Sequence, residues 1–178
     1  MVTEQDSMKL AGNLEFRRST LHEADRVWEI LLQARRFLKD QGVDQWQNGY
    51  PNRDSVVSDL TAGEGYVITE NGRIIAYACI SFQEEECYRH LRGSWKSSLP
   101  YAVIHRMAID NECRGRGIAS LMLACAQDLC LAGNIHSIKI DTDQNNSIMK
   151  RLLEKNGYEY CGLVTFDNSD KVAYEKVF

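Results

Sequence analysis

No run of apolar residues in this chain approaches the roughly 18 needed to cross a bilayer, and its polar first residues do not form a signal peptide. The basic excess of a general nucleic-acid binder is missing as well: 21 Lys and Arg stand against 25 Asp and Glu, a net charge of −4. Cys79, Cys87, Cys113, Cys125, Cys130 and Cys161 contain no Cys-x-x-Cys pair, which argues against a metal site and for free thiols in a reducing compartment. Repeats, linkers and low-complexity segments are absent too, so a second domain is not indicated. What remains is a one-domain protein expected in the cytoplasm, without metal, membrane or nucleic-acid partner. With 44% of its 178 residues hydrophobic, it can bury a substantial core.

The chain is organised around Ile104 to Ala132. Ile104 to Ile109, which follows the breaker Pro100, is a run of apolar and β-branched residues that predicts a strand. Asp110 to Arg116 reads as a loop and Gly117 to Ala132 as a helix, with Ile118, Leu121, Met122, Cys125, Leu129 and Ala132 on one apolar stripe and Gly133-Asn134 as its stop. At the junction stands Arg114-Gly115-Arg116-Gly117-Ile118-Ala119. The unpaired N–H groups of a helix start, together with its macrodipole, favour an anion. Glycines let a phosphate approach that backbone, and Arg114 and Arg116 add charge-assisted hydrogen bonds, so the stretch is expected to cradle a diphosphate. Cys113, beside Arg114, is expected to be exposed in this loop with its pKa lowered by the arginine.

The Walker sequence G-x-x-x-x-G-K-S/T is absent. A Rossmann reading places Ser120 at the third glycine position and Asp141 near the distance of a ribose-binding acid, but the loop is long for that turn and too few residues follow to build a second half. The R-x-x-G-x-A pattern of Arg114, Gly117 and Ala119 instead resembles the acetyl-coenzyme A signature of the GNAT family of N-acetyltransferases. A second stretch, Asn146 to Tyr158, is similar to that family's N-x-x-A-x-x-L-Y-E-K-x-G-F: Asn146, Leu152, Glu154, Lys155 and Gly157 match, and Met149 and Tyr158 stand for its small and aromatic residues. Leu153 stands where the family often carries a general-acid tyrosine, so that role does not transfer. The resemblance runs from Leu14 to the C-terminus. It implies a three-layer α+β fold over residues 14–178, a mixed, largely antiparallel sheet of about seven strands flanked by about four helices. It further implies acetyl-CoA as co-substrate, bound by Met107, Ala108, Ile109, Arg114, Gly115, Arg116, Gly117, Ile118, Ala119 and Asn146.

Along the chain, Met1 to Asn13 shows no period and is expected as a flexible leader, while Leu14 to Arg18 alternates as a half-buried strand. Thr20 to Glu23 forms a capping box before a helix whose stripe is Ala24, Val27, Trp28, Leu31, Ala34 and Leu38. Gln41 to Pro51 is a loop in which Trp46 and Tyr50 suit an acceptor-binding wall. Asn52 to Thr61 predicts a helix with Val56, Val57 and Leu60 inward, and Gly65 to Ser81 a hairpin turned at Asn71-Gly72. The triplet Glu84-Glu85-Glu86 reads as a solvated loop whose field biases the entrance towards cationic amines. Ser137 to Thr142, Tyr158 to Phe166 and Lys171 to Val177 are strands, the last two joined by a turn at Asp167 to Asp170.

Acetyl transfer to an amine needs a base, because an ammonium has no lone pair. His105 is the best candidate, on the central strand with the parity of Met107 and Ile109. A backbone N–H of Met107 or Ile109 is expected to face the oxyanion, and Tyr158, Tyr160 or water to protonate the leaving thiolate. The expected acceptor is a small-molecule primary amine attacking directly in a ternary complex. A protein N-terminal acetyltransferase, a non-catalytic CoA-binding sensor and a Rossmann-type dinucleotide enzyme using Asp141 are the alternatives, and a homodimer is left open.

Overall fold

The computed structural model describes residues 7–166 and 168–178. In chain order the elements are β1 (Ser7–Lys9), β2 (Leu14–Arg18), α1 (Ala24–Asp40), α2 (Arg53–Ala62), β3 (Gly65–Glu70), β4 (Arg73–Ser81), β5 (Arg92–Gly93), β6 (Ala102–Ile109), α3 (Ile118–Ala132), β7 (Ser137–Asp143), α4 (Ser147–Lys155), β8 (Glu159–Phe166) and β9 (Ser169–Val177). They build one sheet in the order β1-β2-β3-β4-β6-β7-β9-β8-β5, in which, among the described residues, only β6 and β7 run parallel. That sheet is mixed and largely antiparallel, as expected, and it excludes a Rossmann half, which needs consecutive parallel strands.

Two of the nine strands were not legible. Ser7–Lys9, expected within the leader, pairs antiparallel with β2 as Ser7↔Arg17 and Met8↔Phe16, while residues 1–6 lie outside the described residues. Arg92–Gly93 pairs with β8, and there Gly93 and Gly162 are required, since an added Cβ would sit about 2 Å from backbone of the opposite strand. The expected turn at Asp167 to Asp170 falls partly outside the described residues, because Asp167 is not described.

Local chemistry accounts for most of the other elements. Asn71 (φ 51) and Gly72 (φ 80) turn the β3–β4 hairpin in the left-handed region that this dipeptide tolerates. Asn52 caps α2 by accepting the Ser55 N–H at 2.9 Å. Helices α3 and α4 cover one face over Ile68, Ile80, Ile104, Met122, Ile138 and Leu153, while α1 and α2 cover the other over Val27, Ile30, Leu31, Val56, Val67 and Tyr77. The α3 stripe is rotated from the expected one: Ile118, Met122, Cys125, Ala126 and Cys130 are buried, Leu121 and Leu129 only partly, and Ala132 is exposed. Trp28 is partly buried, with Arg35 over its ring at 5.2 Å. Cys113 is buried, not exposed, and all six thiols are free.

The sheet splits between β6 and β7. Their ladder consists of Ala102↔Ile138 and Val103↔Lys139, and beyond Val103 the two strands separate. On its other side β6 is bulged: Tyr77 pairs with Ala108 and Cys79 with His105, so Arg106 and Met107 together oppose Ala78. Arg106 takes φ 50 at this bulge. A one-residue insertion flips facing, which corrects the expected parity. Met107 and Ile109 pack on the α3 face with Ile104, Ala108 packs on the α1 face, and His105 reaches Glu85 instead.

Candidate active site

The split opens a cavity of about 880 Å³ whose lining draws on α1, the 41–52 loop, β4, β6, the start of α3, β7, α4 and the β8–β9 hairpin. At one end lies the glycine loop. Asp110, 1% exposed, anchors it by pairing with Arg26 and Arg73 and accepting the Glu112 N–H at 2.9 Å, while Arg26 also donates to the Ile74 carbonyl at 2.9 Å. Gly115 (φ 73) and Gly117 (φ 79) turn the chain into α3, and an added Cβ at either would meet no atom within 4 Å. Backbone conformation therefore demands these glycines, and open space in front of them is what a diphosphate would need. Arg114 lines this end, with its guanidinium over the Phe37 ring at 3.6 Å and its Nε donating to Asn111 at 2.9 Å.

Of the residues expected to hold acetyl-CoA, Met107, Ala108, Ile109, Arg114, Gly115, Gly117, Ile118, Ala119 and Asn146 all line the cavity. Arg116 does not. Its guanidinium pairs with Glu70 at 2.5 Å, at the end of β3, and it serves the loop's outer side. Asn146 caps α4 by accepting the Met149 N–H at 3.1 Å and donates to Gln45 at 3.0 Å. Gln45 also accepts from Thr142 at 3.3 Å, so it ties the 41–52 loop to the β7–α4 junction.

The other end is polar and partly acidic. His105 Nε2 lies 3.3 Å from the Glu85 carboxylate, and that hydrogen bond holds the Glu85 carboxyl below its ordinary range. Asp141 accepts from the Tyr88 hydroxyl at 2.7 Å, and burial pushes its carboxyl up. Glu64 accepts from Ser81 at 2.8 Å. Asp59 receives a two-pronged bond from Arg106, at 2.8 and 2.6 Å, and a third from the Tyr77 hydroxyl at 2.6 Å; Arg106 donates in turn to the Tyr50 hydroxyl. Trp46 (φ 67) and Tyr50 line the wall, and the Tyr50 ring packs on Phe166 of β8 with centroids 5.8 Å apart. Cys79 and Cys87 line the same end, but burial pushes both thiols up to about 12, which keeps them protonated at neutral pH.

Tyr158, named from the sequence as a proton donor, is 3% exposed in the core, and its hydroxyl is buried without a hydrogen-bond partner among the described residues. It does not line the cavity, and Tyr160 is on the outer surface. Leu153 is buried in the same core, so α4 presents Met149, Leu152 and Lys155 to the cavity and no hydroxyl at the position of the family tyrosine. Sequence reasoning missed Glu85 as the partner of His105, the Asp59–Arg106 pair and Gln45. The signal for the second was available: an arginine and a histidine adjacent within a strand otherwise apolar.

Residues 25–158 match the Acetyltransferase (GNAT) family. A comparison with curated protein sequences found no match. Among solved structures, a GNAT-family acetyltransferase from Streptococcus agalactiae is 34% identical, superposes with a TM-score of 0.85, and the alignment covers 93% of this chain and 95% of that one. A GNAT-family acetyltransferase from Listeria monocytogenes shares the fold at 16% identity, with a TM-score of 0.75 over 97% of this chain and 100% of that one. The fold is also that of RimL, a ribosomal L7/L12 alpha-N-protein acetyltransferase solved in complex with coenzyme A, at 16% identity and a TM-score of 0.67 over 97% of this chain and 98% of that one. A match from Asp25 to Tyr158, with a relative aligned along nearly the whole chain, settles the kinship: the chain belongs to the Acetyltransferase (GNAT) family of acyltransferases.

Proposed function

We propose that this chain transfers an acetyl group from acetyl-CoA to the primary amine of a small molecule, by direct attack in a ternary complex. The observation that carries this reading is the His105–Glu85 pair in the same cleft as the glycine loop. Arg114, Gly115, Gly117, Ile118 and Ala119 hold the diphosphate, and Asn146 with the open edge of β6 from Met107 to Ile109 holds the pantetheine arm. Acetyl-CoA supplies the thioester.

The acceptor arrives as an ammonium, with a pKa of about 10.4 for a lysine-like amine. Glu64, Glu85 and Asp141 draw it in, and His105 accepts its proton while Glu85 stabilises the resulting imidazolium. A backbone N–H of the splayed part of β6, of Met107 or Ile109, faces the oxyanion; loss of one such donor costs about 3 kcal/mol of barrier in other enzymes. As the C–N bond forms and the C–S bond breaks, the thiolate leaves without a protein acid, since a thiol pKa of about 8.5 makes it a fair leaving group, and it takes up the second proton that the nitrogen sheds as the amide forms. Direct attack is favoured over an acyl-enzyme because the thiols at this end, Cys79 and Cys87, stay protonated.

The test is steady-state release of the CoA thiol, with purified protein, acetyl-CoA and a panel of primary amines and peptide N-termini. Turnover with a small amine supports the reading, and turnover with peptides alone transfers it to protein N-termini. Binding of acetyl-CoA with no turnover on any acceptor would make the chain a CoA-binding sensor.

A further inference from the structure

Arg106 combines three features that the acetyl-transfer reading leaves unused. It is a non-glycine residue at φ 50 inside a strand, in a conformation that costs about 1–2 kcal/mol for an L-residue. It occupies the bulge where the β4–β6 register shifts. Its side chain, 12% exposed, is forked onto Asp59 of α2, itself 7% exposed, and Asp59 is fixed from the far side by the Tyr77 hydroxyl.

These features have one mechanical consequence. The peptide that carries the Met107 N–H hinges on the backbone dihedrals of Arg106, so a change at Arg106 re-aims that N–H. A strained backbone persists only where its surroundings over-determine it, and here the surroundings are the fork to Asp59. A lysine could not reproduce that, because its single ammonium lacks the planar two-pronged geometry.

Resting on the acetyl-transfer reading, we propose that Arg106 is a positioning residue: by clamping onto Asp59 it holds the β6 bulge in the one conformation that aims the Met107 N–H at the reaction centre. Tyr50, which accepts from the same guanidinium, links the acceptor loop to the clamp. Arg106 makes no bond to substrate in this scheme; its charge is already met by Asp59.

The experiment compares the parent with Arg106→Lys and with the double variant Asp59→Asn/Arg106→Met. Replacing both partners avoids a lone buried charge, and the amide oxygen that Asp59→Asn leaves in place still accepts from the Tyr77 hydroxyl, so the double variant folds even if single variants do not. Displacement of a reacting group by about 1 Å costs about 10²-fold in rate. The expected result is that kcat falls about 10²-fold in the double variant and less in Arg106→Lys, with KM for acetyl-CoA within about twofold. Amide hydrogen exchange of residues 104–109 should quicken in the same order. A role in stability alone would lower the melting temperature and leave kcat unchanged. That outcome, or unchanged exchange at the bulge, overturns the proposal while the parent's turnover leaves the acetyl-transfer reading intact. A parent inactive on every acceptor overturns that reading and this inference with it.

Discussion

Gly117→Glu separates the glycine loop's part in folding from the anion binding proposed for it. Gly117 has φ 79, and a Cβ there meets nothing within 4 Å, so the folded chain bears only the cost of a side chain in the left-handed region, about 1–2 kcal/mol. For a chain of this length, each kcal/mol lowers the melting temperature by about 2–4 °C. Without ligand the variant should therefore melt several degrees below the parent and still cooperatively. Against a diphosphate the effect is larger. Two like charges about 4 Å apart repel by about 4 kcal/mol at an effective dielectric of about 20, close to a 10³-fold loss of affinity. At about 100 times its Kd a ligand adds about 2.7 kcal/mol, a rise of about 5–10 °C here; after a 10³-fold loss the same concentration adds almost nothing. The assay is thermal shift with acetyl-CoA, and with NAD and ATP in parallel, on parent, Gly117→Glu and Gly117→Asn. Asn tolerates the left-handed region and adds no charge, so it should keep most of the rise. If Gly117→Glu kept the parent's full response to acetyl-CoA, the diphosphate assignment of this loop would be refuted; an equal rise with NAD, which also carries a diphosphate, would instead refute acetyl-CoA as the loop's own ligand.

His105→Gln should lower kcat by about 10²–10⁴-fold while the thermal rise with acetyl-CoA stays as in the parent; an unchanged kcat removes His105 as the base. Glu175 is fully buried and accepts from the Lys96 N–H at 2.6 Å, Ser97 Oγ at 2.6 Å and Ser137 Oγ at 2.7 Å. Glu175→Ala orphans these donors and should cost about 3–5 kcal/mol in urea unfolding, with Glu175→Gln milder; equal midpoints would contradict it. Burial raises the Glu23 carboxyl, but hydrogen bonds from Arg17, Thr20 and Ser19 outweigh it and hold the group at about 2 against an ordinary 4.5. A lowered folded pKa gives stability that is present above pH 4.5 and lost as pH falls towards 2, so Glu23→Gln should flatten melting temperature against pH across that window. Parallel curves for the two proteins would count against the Arg17–Glu23 assignment.

The sequence was most readable where periodicity and turn chemistry act locally. The Asn71-Gly72 hairpin, the helix opening at Asn52 and the start of α3 each follow from a few adjacent residues. It was least readable where a distant partner decides. Ser7–Lys9 becomes a strand because β2 offers an edge, and Arg92–Gly93 because β8 does; neither three nor two residues carry a period. The α3 stripe rotated because a helix packed over a twisted sheet also buries positions flanking its apolar row, such as Ala126 and Cys130. At the site, the glycine loop and Asn146 were legible because they belong to local motifs. Glu85 was hidden in a triplet of like charges, of which Glu84 and Glu86 pair outward with Arg89 and only Glu85 turns to His105. The bulge at Arg106 was invisible for a different reason: nothing in an alternating strand marks where one residue has been inserted.

A sheet whose halves share only two residue pairs needs something else to hold them together, or the cleft would spread or close. The segment from Phe82 to Tyr101 does this. It leaves the end of β4, packs Tyr88 against Val103, Val164 and Ala173 beneath the split, and then pairs as β5 with the far edge of the second half. Its return is fixed by Glu175 from below, and the Lys139 ammonium sits over the Trp95 and Tyr101 rings at 4.2 and 3.8 Å. The brace thus ties β6 to β7 and β9 at the end where their ladder exists and leaves the other end free to open. The same segment supplies Glu85 to His105 and, through the Tyr88 hydroxyl, fixes Asp141. A carboxylate carried on a loose loop would be averaged by motion and screened by solvent; mounted on a brace, Glu85 keeps a fixed distance from β6. The spacing of β6 from β7 and the placing of Glu85 and Asp141 at the cleft's polar end therefore depend on one piece of chain, so Glu175→Ala, a substitution outside the cavity, should weaken turnover as well as stability.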